Sequence, residues 1–159
     1  MSDGTIAWAA WDADLDAILE IDRASFADPW TRAMYAEERG HPERSCLAVW
    51  RSADGAVAGY ISFWVVVDEV HINNVAVRPE ARTHGIGRRL VEFAMAHGAS
   101  RGAVQAFLDV RSANQVARRL YERLGFRQVG MRRGYYGHPL DDALIMTRDL
   151  REIESNPAP

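Results

Sequence analysis

The sequence predicts an α/β fold built on a mixed central sheet of about seven strands with flanking helices. Three observations carry this. Short apolar runs of strand length alternate with stretches whose apolar residues recur at helical spacing. Turn signals at Ala53-Asp54-Gly55 and Asp68-Glu69 separate successive strands closely enough for antiparallel hairpins. A strand, a glycine-bearing turn, an amphipathic helix and a further strand follow one another from Val70 to Val110. Such a crossover places the two strands parallel in one sheet.

Taken in order, Ile6 to Ala10 reads as a first strand. Asp12 is placed to cap a helix to about Ala24, with Leu15, Ile18, Leu19 and Asp22 on one mostly apolar face. Ser25 to Trp30 breaks it, because Pro29 disfavours helix at Asp28. Thr31 is placed to cap a second helix to about Arg39. Phe26 and Trp30 flank the break as loop aromatics; they either plug the core or form a wall of a substrate groove. Cys46 to Arg51, Val57 to Val67 and Val70 to Val77 form an antiparallel meander.

A helix opening at Ile86 carries Ile86, Leu90, Phe93 and Ala94 on one face and ends near Gly98. Val104 to Val110 is the next strand; Ala106 and Leu108 share one face, Gln105, Phe107 and Asp109 the other. Ser112-Ala113-Asn114 caps a helix with Val116, Ala117, Leu120, Tyr121 and Leu124, which Gly125 ends. Phe126 to Met131 and Leu144 to Asp149 are the final strands, joined by residues 132–139. The order is β-α-α-β-β-β-α-β-α-β-β. One domain over residues 1–151 is expected, with a polar, flexible tail over 152–159.

Composition narrows the function. The chain has 159 residues and a net charge of −3, so nonspecific nucleic-acid binding has no electrostatic basis. One cysteine, Cys46, excludes an internal disulfide and a cysteine-based zinc site, and fits a reducing cytoplasm. There is no long apolar span, so no membrane partner is expected.

The chemistry concentrates at Arg78 to Arg89. The turn Arg82-Thr83-His84-Gly85-Ile86-Gly87 opens a helix whose first N–H groups lack internal partners. The helix dipole is positive there, and Arg78, Arg82, His84, Arg88 and Arg89 add cationic character. The arrangement suits a polyphosphate, although the same arginines also suit a solvated face. No Gly-Lys-Ser/Thr follows, so it is not a Walker loop. A third glycine is missing, so the dinucleotide fingerprint is incomplete.

Arg82, Gly85 and Gly87 resemble motif A of the GNAT acyltransferases, Gln/Arg-x-x-Gly-x-Gly/Ala. A second block, Leu108 to Asn114 followed by Leu120-Tyr121-Glu122-Arg123-Leu124-Gly125-Phe126, resembles the family's later conserved region. The likeness spans roughly Ala7 to Leu150. It implies a GNAT fold and acetyl-CoA as cosubstrate, with no metal. It also implies that the backbone of Val75, Ala76 and Val77 holds the pantetheine arm. The amides of Arg82, Thr83, His84, Gly85, Ile86, Gly87 and Arg88 would hold the pyrophosphate, and Asn114 would assist.

Within the family, Phe26 to Thr31, Leu108 to Asn114 and Arg132 to Tyr136 resemble the ribosomal-protein alanine N-acetyltransferase (RimI) branch. That implies transfer to the α-amine of a protein or peptide N-terminus, by a monomer or weak dimer. Tyr121 would be the acid that protonates the leaving thiolate. The base is Asp109, where the branch has Glu, or His71, or solvent. Phe26, Trp30, Tyr135 and Tyr136 would line the acceptor groove. Two other readings stay open: a small-molecule amine acetyltransferase, and a noncatalytic acyl-CoA-binding module.

Overall fold

The computed structural model describes residues 3–153. Its elements are β1 (Gly4–Trp8), α1 (Trp11–Ser25), α2 (Arg32–Arg39), β2 (Ser45–Ser52), β3 (Val57–Val66), β4 (Glu69–Val77), α3 (Ile86–Ser100), β5 (Gln105–Arg111), α4 (Gln115–Arg123), β6 (Arg127–Gly137) and β7 (Leu140–Asp149). The strands form one sheet in the order β1-β2-β3-β4-β5-β7-β6. β4 and β5 are parallel; every other neighbouring pair is antiparallel. The α3 crossover explains the exception, because a helix returns the chain to the same end of the sheet.

Two cores cover the two faces. On one face, Ile86, Leu90, Val91, Ala94 and Met95 of α3 pack with Ile61, Phe63, Val70, Ile72, Ala106 and Leu108. Each such fully buried aliphatic side chain contributes on the order of 1.5–3 kcal/mol. On the other face, Ile18, Leu19 and Ile21 of α1 and Tyr35 of α2 pack with Leu47, Val49, Tyr60 and Ala76. No residue of β5, β6 or β7 belongs to this second core, so α1 and α2 shield only the β2–β4 side of that face.

Within β4, Ser62 pairs with Asn74 but Phe63 pairs with Ile72, so Asn73 is an extra residue in the ladder. The bulge shifts the alternation by one. Val70 and Ile72 face the α3 side before it, and Val75 and Val77 face that side after it. β4 and β5 pair only from Glu69↔Gln105 to Ile72↔Leu108. Beyond that point Asp109, Val110 and Arg111 pair with β7 alone. The two parallel strands therefore part at the bulge and leave a fork.

Several boundaries differ from expectation. Asp12 does not cap α1. Ala10 is the N-cap residue, and Asp14, buried beneath Arg51, accepts from the Ala10 N–H at 2.8 Å. Asp12 sits exposed in the first turn and pairs with Arg39. Thr31 caps α2 as expected, accepting from the Met34 N–H at 3.2 Å. Residues 132–139, expected as a connection, lie mostly inside β6. β6 is an exposed edge strand rich in arginine, so it shows no apolar alternation. Arg151–Ile153 forms a short 3-10 turn with Ile153 packed on the core. The remainder of the expected tail, 154–159, lies outside the described residues.

Candidate active site

The glycine-bearing loop follows β4 through a 3-10 turn, Pro79–Ala81. Gly85 is the N-cap of α3 at φ +79°, a left-handed conformation that glycine adopts without strain. A Cβ built there meets nothing within 4 Å, so the loop opens onto free space. At Gly87 an added Cβ would only touch Leu120 and Val77 at ordinary distances. α3 has neither a side-chain cap nor an acidic residue in its first turn. Its terminal N–H groups remain available to an anion. Thr83, at φ +67°, holds a costly conformation for a β-branched residue in this same loop.

The side chains around the loop divide by role. Ile86 and Ala76 are buried in the two cores, so these positions offer only backbone. Val75 and Val77 are partly buried against the first core. Arg82 turns back: its Nε donates to the Val77 carbonyl at 3.0 Å and its Nη2 to the Ser25 hydroxyl at 3.1 Å. That ties the loop to the end of α1. Arg88 pairs with Glu92 at 3.2 Å on the surface, and His84 Nδ1 lies 3.2 Å from the Ala81 carbonyl. Asn114 caps α4, its Oδ1 accepting from the Ala117 N–H at 3.1 Å.

Tyr121 projects from α4 into the first core, where its ring meets Phe126 edge-on at 5.9 Å. Burial, helped by neighbouring Tyr136, raises its phenol pKa, so the hydroxyl keeps its proton at neutral pH. No described group hydrogen-bonds to that hydroxyl. Across the sheet, Asp109 is exposed just past the last β4–β5 pair, at the mouth of the fork. The phenol of Tyr136 is raised by burial first and then by the Asp109 charge. Tyr136 therefore feels the Asp109 charge, and Tyr121 in turn feels Tyr136.

His71 lies deeper, where β4 and β5 are still paired, in register with Phe107. Its ring stacks on Phe107 at 5.5 Å, and its Nε2 is 2.9 Å from a Glu69 carboxylate oxygen. The structure thus separates the two candidate bases: one at the opening, the other in the closed ladder.

Tyr135 and Tyr136 meet edge-on at 5.1 Å, with Arg111 4.2 Å over Tyr136 and Arg132 5.5 Å over Tyr135. Tyr135 is 54% exposed. Phe26 and Trp30, expected as loop aromatics, are partly buried against the second core, and Trp30 packs on Tyr35 at 5.2 Å. They plug the core with one side and stay partly exposed on the other. Arg111, over the Tyr136 ring and donating to the His138 and Pro139 carbonyls, joins this cluster without having been expected from the sequence. The two asparagines in an otherwise apolar strand are the sequence signal for the β4 bulge.

Cys46 is a partly buried free thiol whose pKa burial raises, which suits packing better than nucleophilic chemistry. Among the described residues, no cluster of His, Cys, Asp or Glu could hold a metal, and no helix is long and apolar enough to cross a membrane. A separate cavity of about 890 Å³ lies on the other side of α3, lined by Thr5, Trp50, Arg89, Phe93, Arg148 and Ile153.

The sequence profile of the acetyltransferase (GNAT) family matches residues 15–126. The chain is 37% identical over 137 residues to the [ribosomal protein bS18]-alanine N-acetyltransferase of Salmonella typhimurium, covering 84% of this chain and 89% of that one. It is 36% identical over 135 residues to the Escherichia coli protein of that name, covering 84% and 89%. Its fold resembles the crystal structure of the ribosomal-protein-S18-alanine N-acetyltransferase from Escherichia coli with a TM-score of 0.84 at 33% identity, covering 92% of this chain and 94% of that one.

Proposed function

The chain belongs to the GNAT acetyltransferase family, and from that premise we propose that it transfers acetyl from acetyl-CoA to the α-amine of a peptide. The natural acceptor on this reading is the N-terminal alanine of a small-subunit ribosomal protein, met in the cytoplasm. The observation that carries it is the fork between β4 and β5. Tyr121 lies on the α3–α4 side, Asp109 on the side that α1 and α2 leave open, and the Tyr135–Tyr136 pair beside it.

On this reading the loop from Arg82 to Arg88 and the α3 N-terminus hold the pyrophosphate. The open space above Gly85 fits such a group. The β4 backbone from Val75 to Val77 leads the pantetheine arm to the fork. The acceptor amine attacks the thioester carbonyl, the carbon–sulfur bond breaks, and Tyr121 gives its proton to the departing sulfur. A base takes the proton that the amine loses. Asp109 is the stronger candidate, because the amine must enter where the strands part. Its side chain is one bond shorter than the Glu of related sequences, so a water can bridge the gap.

A peptide α-amine ordinarily titrates at about pH 7.7–8.0, so only a modest push is needed near neutral pH. Asp109→Asn should lower kcat/KM by about 10²-fold at pH 7. The loss should shrink as pH rises through about 8, where the amine is already neutral. His71→Gln should stay within a few-fold. The measurement is the pH–rate profile of both variants with one peptide, and the reverse pattern transfers the role to His71.

Phe26, Trp30, Tyr135 and Tyr136 offer apolar area with indole and phenol donors, suited to an extended chain whose first side chain is small. A lysine ε-amine, flanked by two chain directions, fits such a groove poorly. An Ala-initiated peptide competed against an internal-lysine peptide with a blocked N-terminus should win by at least about tenfold in kcat/KM. Equal rates defeat the N-terminal reading and favour the small-amine alternative.

A further inference from the structure

The hairpin that carries Tyr135 and Tyr136 departs from a regular ladder at those residues. Arg132 of β6 pairs with Ala143 of β7, and Tyr136 pairs with Asp141. Arg133, Gly134 and Tyr135 therefore stand opposite Asp142 alone. Such a bulge interrupts the ladder and re-aims side chains. Gly134, at φ +62°, makes the left-handed step within it. The Asp142 carboxylate accepts from the Gly134 N–H at 2.8 Å and so satisfies a backbone donor that the bulge frees from the ladder. β6 is also the edge of the sheet, so only β7 supports it from within the ladder.

The missing support comes from the end of β5. Arg111, its last residue, donates from Nη1 to the Pro139 carbonyl at 2.9 Å and from Nη2 to the His138 carbonyl at 3.2 Å. Both carbonyls belong to the two-residue turn between β6 and β7. The same guanidinium lies 4.2 Å over the Tyr136 ring. One planar cation thus grips the turn and one of the two tyrosines. The entrance to α4 shares this support. The Ala113 N–H donates to the Asp141 carboxylate at 3.0 Å, and the Ser112 N–H to the Asp142 carbonyl at 3.0 Å. The hairpin is therefore fastened to the strand that carries Asp109 and to the turn that begins the Tyr121 helix.

We propose that Arg111 and Asp142 are positioning residues for the acceptor, holding the Tyr135–Tyr136 wall in the place where a peptide chain lies against it. This rests on the peptide-acceptor reading above. Arg111 acts through the turn and the Tyr136 ring, Asp142 through the Gly134 N–H, and neither needs to touch the reacting atoms. Without these ties the aromatic end of the hairpin keeps only the ladder pairs Tyr136–Asp141 and Gly137–Leu140. An extended peptide uses the length of the wall, whereas a small alkylamine needs little of it. Lysine is a poor substitute for Arg111, because a point charge on a flexible stem has neither the fork for two carbonyls nor a planar face for the ring.

The test compares wild type, Arg111→Gln, Arg111→Lys and Asp142→Ala on an Ala-initiated peptide and on a simple alkylamine, alongside CoA affinity and melting temperature. Arg111→Gln should lower the preference for peptide over alkylamine by about tenfold, carried by the peptide KM, as for hydrogen bonds lost from a charged donor. Arg111→Lys should recover part of that preference, and Asp142→Ala should shift the ratio in the same direction as Arg111→Gln. A readout on the unaltered protein is the Gly134 backbone amide resonance in the CoA complex, which should move on peptide addition. Parallel loss with both acceptors, a change confined to kcat, or a Gly134 resonance that stays still while other site resonances move overturns the inference and leaves the peptide reading intact. No peptide turnover by wild type overturns both.

Discussion

Tyr121→Phe is expected to lower kcat by about 10²–10⁴-fold while leaving acetyl-CoA affinity and the melting temperature close to those of wild type. The argument is local. The ring is buried against Phe126, and removing one oxygen leaves that packing in place. The hydroxyl makes no hydrogen bond within the described chain, so little structure depends on it. Burial holds its pKa above the ordinary phenol range, which keeps it a donor throughout the working pH range. On the proposed reading, the sulfur that leaves as a thiolate takes its proton from this hydroxyl. Steady-state rates with saturating peptide, together with calorimetric titration of CoA, check this. A rate within a few-fold of wild type shows that solvent protonates the thiolate.

Gly85→Glu is expected to weaken CoA binding by at least about 10²-fold, because like charges about 4 Å apart near a protein surface repel by about 4 kcal/mol. Gly85 sits at φ +79° on the open side of the α3 N-terminus, where a side chain meets no protein atom. The Glu carboxylate would occupy the space and the field that suit a phosphate. Gly85→Ala separates the causes. It carries the left-handed backbone penalty, on the order of 1–2 kcal/mol, without the charge. Titration of both variants should show a modest loss for Ala and no measurable binding for Glu. A folded Gly85→Glu protein with ordinary CoA affinity removes the phosphate from this loop.

Much of the fold is legible from residue pattern. The meander of β2, β3 and β4 is marked by apolar runs and two turn signals. The parallel placement of β5 follows from a helix between two strands. Thr31 and Asn114 announce their helices, because a short polar side chain before an apolar-periodic stretch satisfies free backbone N–H groups. The start of α1 is not legible in this way. Asp14, not Asp12, reaches the first N–H, and neighbouring acidic residues are equivalent in one dimension. The full length of β6 is hidden too, because an edge strand with arginines on it lacks the alternation that burial on one face imposes.

The sequence by itself determined the family likeness and the glycine that the loop needs, and it nominated Tyr121 as acid with Asp109 and His71 as rival bases. These depend on residue type and on short spacings along the chain. Only the tertiary structure decided which of them meet. A single inserted residue at Asn73 moves β4 off its ladder and opens the fork, so that Asp109 stands at the mouth and His71 in the closed part. The same structure buried Asp22 between the two phenols of Tyr35 and Tyr60. Such facts arise from contacts between residues dozens of positions apart, and local periodicity carries no information about them.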